Sequence, residues 1–224
     1  MESVYRKLPL FLMEAIDDEG LHVITGGVST ERLAFIRMLC EDFGQIAPGK
    51  VIKYYYAGDD NLGKMESIPG VMSVEMTGLR TGHIMLEAEW AEEDYDLSAI
   101  IIDNFPVLAW AEEFRKPVSE KERIWFALTR LKSLAELLHV PVIVSCVGDS
   151  IRKRWPEKRD ISYGDCVEIL ADKLIYLYNE ERYDPGTERK GIIDVRVEDM
   201  GRDMLRDYRF IWIREPEELI EVVC

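Results

Sequence analysis

The stretch Leu21-His22-Val23-Ile24-Thr25-Gly26-Gly27-Val28-Ser29-Thr30-Glu31-Arg32-Leu33-Ala34 narrows the folds open to this chain more than any other. An apolar run enters two glycines and a Ser/Thr pair, and then Phe35, Ile36, Met38 and Leu39 recur at helical spacing. Strand, tight loop and helix in that order frame a phosphate-binding loop, whose motif reads G-x-x-x-x-G-K-[ST]. Counted from Gly26, Glu31 stands at the second glycine position, Arg32 at the lysine position and Leu33 at the position of the Mg²⁺-binding hydroxyl. The frame is present and most of its chemistry is replaced.

A second anchor lies far along the chain. Ala99-Ile100-Ile101-Ile102 is an unbroken apolar run closing on Asp103, the pattern of a parallel strand covered on both faces. A carboxylate there, after a loop-helix start like Gly26–Leu33, suits the role of holding Mg²⁺ and its water. The plainer reading is a strand-terminal Asp that caps a turn. Together, the loop and Asp103 favour an inherited nucleotide-binding fold.

The remaining patterns fill in an α/β chain. A helix is expected from Thr30 to Phe43, with Gly44 as its stop. Val51 to Tyr56 reads as a strand, and 71–76 with 82–87 as a short hairpin turning at Thr77–Thr81. The acidic run Glu87 to Asp96 reads as a solvated face or helix. Ser119 and Glu122 form a capping box opening a helix to about His139. Strands follow at Pro141–Cys146, Leu174–Tyr178, Ile192–Val197 and Tyr208–Ile213, the last two as an antiparallel pair joined through Gly201. Strands alternating with helices and then a β-rich tail give a mainly parallel twisted sheet with an antiparallel edge. Residues 1–20 are read as an N-terminal segment, and 21–224 as one domain.

Totals exclude some functions. A net charge of −15 argues against a general nucleic-acid binder, which draws affinity from Lys and Arg neutralising phosphates. Cys40, Cys146, Cys166 and Cys224 show neither C-x-x-C nor metal spacing, so they read as reduced thiols and no metal centre is expected. No apolar run is long enough to span a bilayer and the N-terminus lacks a leader pattern, so a cytoplasmic chain with no membrane partner is expected. His22, His83 and His139 stand apart without ligand spacing, and Ser29 lacks the G-x-S-x-G context of a nucleophile. One basic loop stands out, with Arg152, Lys153, Arg154, Lys158 and Arg159 around Trp155. It suits single-stranded nucleic acid, but Asp149, Glu157, Asp160 and Asp165 offset the charge, and a solvated surface loop is the plainer reading.

Could the loop still hold a triphosphate? Backbone N–H groups at the loop and helix start would attract an anion. Glu31 opposes it: one like-charge contact at about 4 Å costs about 4 kcal/mol at an effective dielectric near 20, roughly a thousandfold in affinity. It also places a Cβ where the motif needs a glycine. Arg32 keeps a positive charge but not the compact ammonium, and Leu33 offers no oxygen. ATP is expected to bind very weakly or not at all.

Taken with these residues, the chain resembles the C-terminal RecA-like motor domain of DnaB-type replicative DNA helicases. The likeness runs over residues 20–214: Leu21–Ala34 is similar to the family's Walker A segment and Ala99–Leu108 to its Walker B strand. Leu131–Ser145 is similar to the helix and strand before its sensor, and Asp160–Asp172 follows its DNA-binding loop. The resemblance implies a RecA-like P-loop NTPase fold and a link to DNA replication or a mobile element. It places Cys146 or Val147 where the family has a sensor glutamine, and Asp59 nearest its water-activating acid. Glu198-Asp199-Met200 stand near its basic finger. Asp103 and Asp59 are then vestigial, and Gly26, Gly27, Ser29, Thr30, Glu31, Arg32 and Leu33 form a degenerate loop. The expected reading is a pseudo-ATPase that binds a protein partner or its own copies, with no cofactor. The alternative is a helicase subunit using ATP and Mg²⁺ through an altered site.

Overall fold

The computed structural model describes residues 10–16, 19–26, 29–57, 65–114, 116, 118–146, 163–214 and 217–222. A nine-stranded sheet organises them, in the order β3-β2-β4-β5-β1-β6-β7-β8-β9. Its strands are β1 (Gly20–Gly26), β2 (Val51–Tyr56), β3 (Val71–Glu75), β4 (Leu97–Ile102), β5 (Pro141–Ser145), β6 (Lys173–Tyr178), β7 (Ile192–Asp199), β8 (Met204–Arg214) and β9 (Glu217–Glu221). Strands β1 to β6 pair in parallel, and β6 to β9 pair antiparallel. The helices are α1 (Leu10–Ala15), α2 (Ser29–Ile46), α3 (Thr81–Tyr95), α4 (Pro106–Ala111), α5 (Glu120–Leu138) and α6 (Gly164–Leu170).

The period-two alternation of strands divides the core into two layers. Leu21, Val23, Ile100, Ile102, Val142, Val144, Leu174 and Tyr176 face α3 to α6. Ile24, Ala99, Ile101, Ile143, Ile175 and Leu177 face α2 and the antiparallel tail. Sheets covered on both faces need apolar residues at every position of a central strand, which explains the unbroken runs in β4 and β5. Helix α1 joins the second layer, where the Phe11 ring meets Phe35, Tyr208 and Phe210 edge to face. Leu10–Ala15 thus shares the core of the residues that follow.

Two expectations fail here. There is no hairpin at 71–87: β3 is a parallel edge strand in register with β2, Ile52 opposite Val71. The following residues form α3, with Thr81, Ile84, Ala88 and Ala91 buried. Those positions recur at helical spacing, and the acidic residues between them occupy the outer face of the same helix. Gly44 does not stop α2 either, which continues to Ile46. Pro48, lacking an N–H, follows two residues beyond that end.

The capping box is present. Ser119 Oγ accepts the Glu122 N–H at 3.2 Å, and the Glu122 carboxylate accepts the Ser119 N–H at 2.6 Å. That reciprocal bond holds the Glu122 carboxyl below its ordinary range. A depressed carboxylate contributes stability above its unfolded pKa and loses it as the pH falls through its folded pKa. Ser119→Ala is expected to cost about 1 kcal/mol in chemical denaturation at neutral pH. The Ser119 backbone N–H still donates to Glu122 in that variant, so only the share carried by the Ser119 hydroxyl on the Glu122 carboxylate should fade as the pH falls.

Candidate functional site

Ligands of open α/β sheets sit beyond the carboxyl ends of parallel strands, and four such ends converge here. Alternation carries Ala99 and Ile101 to the α2 side of the sheet, so Asp103, next in that series, also faces α2. The same parity sends Ser145 from β5, and Asn179 past β6, to that side. Helix α2 presents Glu31 and Arg32 to them from its first turn.

Asp103 and Arg32 form a buried ion pair, Arg32 Nε to Asp103 Oδ1 at 2.9 Å, with side chains only 8% and 4% exposed. Ser145 Oγ donates to the same Oδ1 at 2.5 Å. The Asn104 backbone N–H donates to Ser145 Oγ at 2.7 Å. Asn104 adopts a positive φ of 63°, a conformation Asn tolerates better than most residues. The Tyr54 ring lies fully buried close by. Burial first, and then the Asp103 charge, push its hydroxyl well above the usual range.

Glu31 is held on the other side. Its Oε1 accepts from Asn179 Nδ2 at 3.1 Å and Arg182 Nε at 3.2 Å, and its Oε2 accepts from Arg182 Nη2 at 3.1 Å. Fork-to-carboxylate pairing of this kind is geometrically specific. Its effect is to fix a carboxylate, 1% exposed, at the position where the phosphate-loop motif has a glycine. Leu33 turns into the apolar layer with Phe35, Leu39 and Ile175.

The structure therefore joins Arg32 to Asp103, ties Glu31 to Asn179 and Arg182 and turns Leu33 away into the apolar layer, while Gly26 ends β1 and the backbone of Ser29 and Thr30 opens α2. Gly27, Asp59 and the basic residues Arg152, Lys153, Arg154, Lys158 and Arg159 lie outside the described residues. Sequence reasoning missed Ser145, Asn179 and Arg182 as members of the cluster. Strand parity could have flagged Ser145 and Asn179. Nothing in the local sequence marks Arg182, whose 3₁₀ turn Glu180–Arg182 brings it back over α2.

The other acids singled out in the sequence have structural partners. Asp172 Oδ2 accepts the Leu21 N–H at 2.8 Å, and its Oδ1 pairs with Lys132 Nζ at 2.8 Å. Asp199 accepts the N–H groups of Gly201 and Arg202, closing the turn between β7 and β8. Glu198 accepts from the Tyr176 hydroxyl at 3.3 Å. His139 takes the left-handed C-cap of α5 and pairs with Glu19 at 2.6 Å. Among the described residues, no cluster of three or more His, Cys, Asp and Glu side chains is arranged to hold a metal ion. Nor, among them, is any helix long and apolar enough to cross a membrane.

No established family profile matches the chain. It is 26% identical over 194 residues to the replicative DNA helicase DnaC of Bacillus subtilis, covering 80% of this chain and 41% of that protein. The chain thus spans about two-fifths of the length of that relative. Among solved structures, one described as an ATPase domain superposes with a TM-score of 0.77 at 16% identity, covering 92% of this chain and 86% of that one. A DnaB-like replicative helicase, described with its interactions with primase, superposes with a TM-score of 0.75 at 15% identity, covering 93% and 60%. Sequence relatives and fold agree on a resemblance: the chain has a RecA-like ATPase-domain fold and is similar in sequence to DnaB-type replicative helicases.

Proposed function

We propose that this chain is a catalytically degenerate RecA-like domain that works by binding other proteins, in a process linked to DNA replication, without turning over ATP. The observation that carries this reading is the Arg32–Asp103 pair. In a working site the residue at position 32 reaches for phosphate and the one at 103 holds the metal's water. Here the two are bonded to each other at 2.9 Å and neutralise one another. A triphosphate would have to displace that pair and lie against the clamped Glu31 carboxylate, and its metal would meet Leu33 in place of an oxygen. The donor set does not fit ATP with Mg²⁺, so no catalytic step is assigned to it.

Protein binding follows from what is left once catalysis is set aside. The central strands are closely packed, and the outer faces carry exposed Trp90, Trp110 and Trp125. Purified protein should show no ATP turnover above background with Mg²⁺, with or without single-stranded DNA. Turnover stimulated by DNA and abolished by Asp103→Asn would instead establish an ATPase with an altered site.

A further inference from the structure

The short segment from Asn179 to Arg182 ties two distant parts of the molecule together. On one side Asn179 and Arg182 hold the Glu31 carboxylate at the start of α2. On the other, its two acids reach the antiparallel tail. Glu181 accepts the Gly191 N–H at 3.0 Å and pairs with Arg214, at the end of β8, at 2.9 Å. Glu180 accepts the Thr187 hydroxyl at 2.8 Å and pairs with Arg189 at 3.2 Å. Arg189 continues to Asp194 of β7 at 2.5 Å, and Asp194 to Arg209 of β8 at 3.1 Å. A chain of charges thus runs from β7 and β8, through one turn, to the first turn of α2.

What holds that turn differs from what holds the elements around it. None of the residues Glu180–Arg182 is buried, and a single 3₁₀ turn contributes few and poorly aligned hydrogen bonds of its own. Tyr183 stacks on Tyr178 at 5.6 Å and anchors the far end. The rest of the attachment is charge pairing by partly exposed arginines, with the Arg182 side chain 40% exposed and that of Arg214 59%. Strand β6 and helix α2, by contrast, are fixed by apolar burial. Salt screens exposed pairs and leaves apolar packing in place.

We infer that Asn179–Arg182 is a latch on the start of α2, held shut from the tail by ion pairs and opening while the sheet stays folded. Segments with few buried apolar contacts open locally at less cost than global unfolding. Closed, the latch neutralises Glu31 with Arg182. Open, it leaves a free carboxylate on the residue next to Arg32. The latch is a property of the fold and stands whether or not the loop binds nucleotide.

Native-state amide exchange of the intact chain tests this, in about 0.01 M and about 1 M sodium chloride, where charges are screened over roughly 30 Å and 3 Å. The reporters are the Tyr183, Asp184 and Gly191 amides, bonded within the turn or to Glu181, and those of Leu33 and Ala34 in α2. High salt should speed exchange in both groups together by about tenfold, the combined effect of three partly exposed ion pairs. Leu128 and Leu131 of α5 should keep their protection. At low salt, Glu181→Ala should reproduce the acceleration at Leu33 and Ala34, and the salt arm on wild type stands even if this variant fails to fold. Equal acceleration everywhere would mean global loosening and would overturn the latch. So would exchange at the reporters that ignores salt, or a folded Glu181→Ala variant that leaves α2 as protected as wild type.

Discussion

Arg32→Ala should destabilise the protein by about 3–5 kcal/mol, because it leaves the Asp103 carboxylate buried without its cation. The Ser145 hydroxyl would still donate to that carboxylate, but a neutral donor does not replace the lost charge. Arg32→Ala/Asp103→Ala should lose less than Arg32→Ala alone. The double change removes both the stranded charge and the pair's desolvation cost. Urea denaturation of the single and double variants reads this as a thermodynamic cycle. A double variant that loses the sum of the two singles would mean that the residues are not energetically coupled, whatever their 2.9 Å separation.

Restoring the loop motif should have the opposite kind of effect, a gain. Glu31→Gly, Arg32→Lys and Leu33→Thr made together return the glycine, the ammonium and the hydroxyl to a frame whose strand and helix are in place. An unpaired like-charge contact would be worth about 4 kcal/mol, roughly a thousandfold in nucleotide affinity; the gain here is that figure less what the Arg182 pair already offsets. On the proposed reading, the triple variant should bind ATP with Mg²⁺ more tightly than wild type. The restored Lys has to leave Asp103 for phosphate, and freed of Glu31, Arg182 and Asn179 face an opened loop. Binding is read by fluorescent-nucleotide titration on protein shown to be folded by its near-ultraviolet dichroism. A folded triple variant that still ignores nucleotide would place the obstacle outside positions 31 to 33.

Much of this site is legible in the sequence because strands and helices announce themselves by period. The apolar runs at 21–24, 99–102 and 141–144 fix the central strands, and a strand–glycine–helix junction fixes which end of the sheet matters. Helix α5 is legible from its capping box. The region 71–87 misleads, because Val71–Glu75 and the start of α3 both look extended over a few residues. Only the spacing of Ile84, Ala88 and Ala91 separates helix from hairpin. What sequence does not convey is which side chains meet. The substitutions at 31 to 33 can be read as losses, yet their new partners are 71 residues away for Arg32 and 151 for Glu31. Contacts of that separation depend on strand order and on a 3₁₀ turn with no strong local signal.

The proposed reading is that a RecA-like fold is kept while the residues at its phosphate-facing positions bond to other side chains, Arg32 to Asp103 and Glu31 to Arg182. Calorimetric titration of wild-type protein with ATP in the presence of Mg²⁺ tests that claim most directly. Heats indistinguishable from dilution are predicted, and saturable binding with a Kd in the low micromolar range would contradict it.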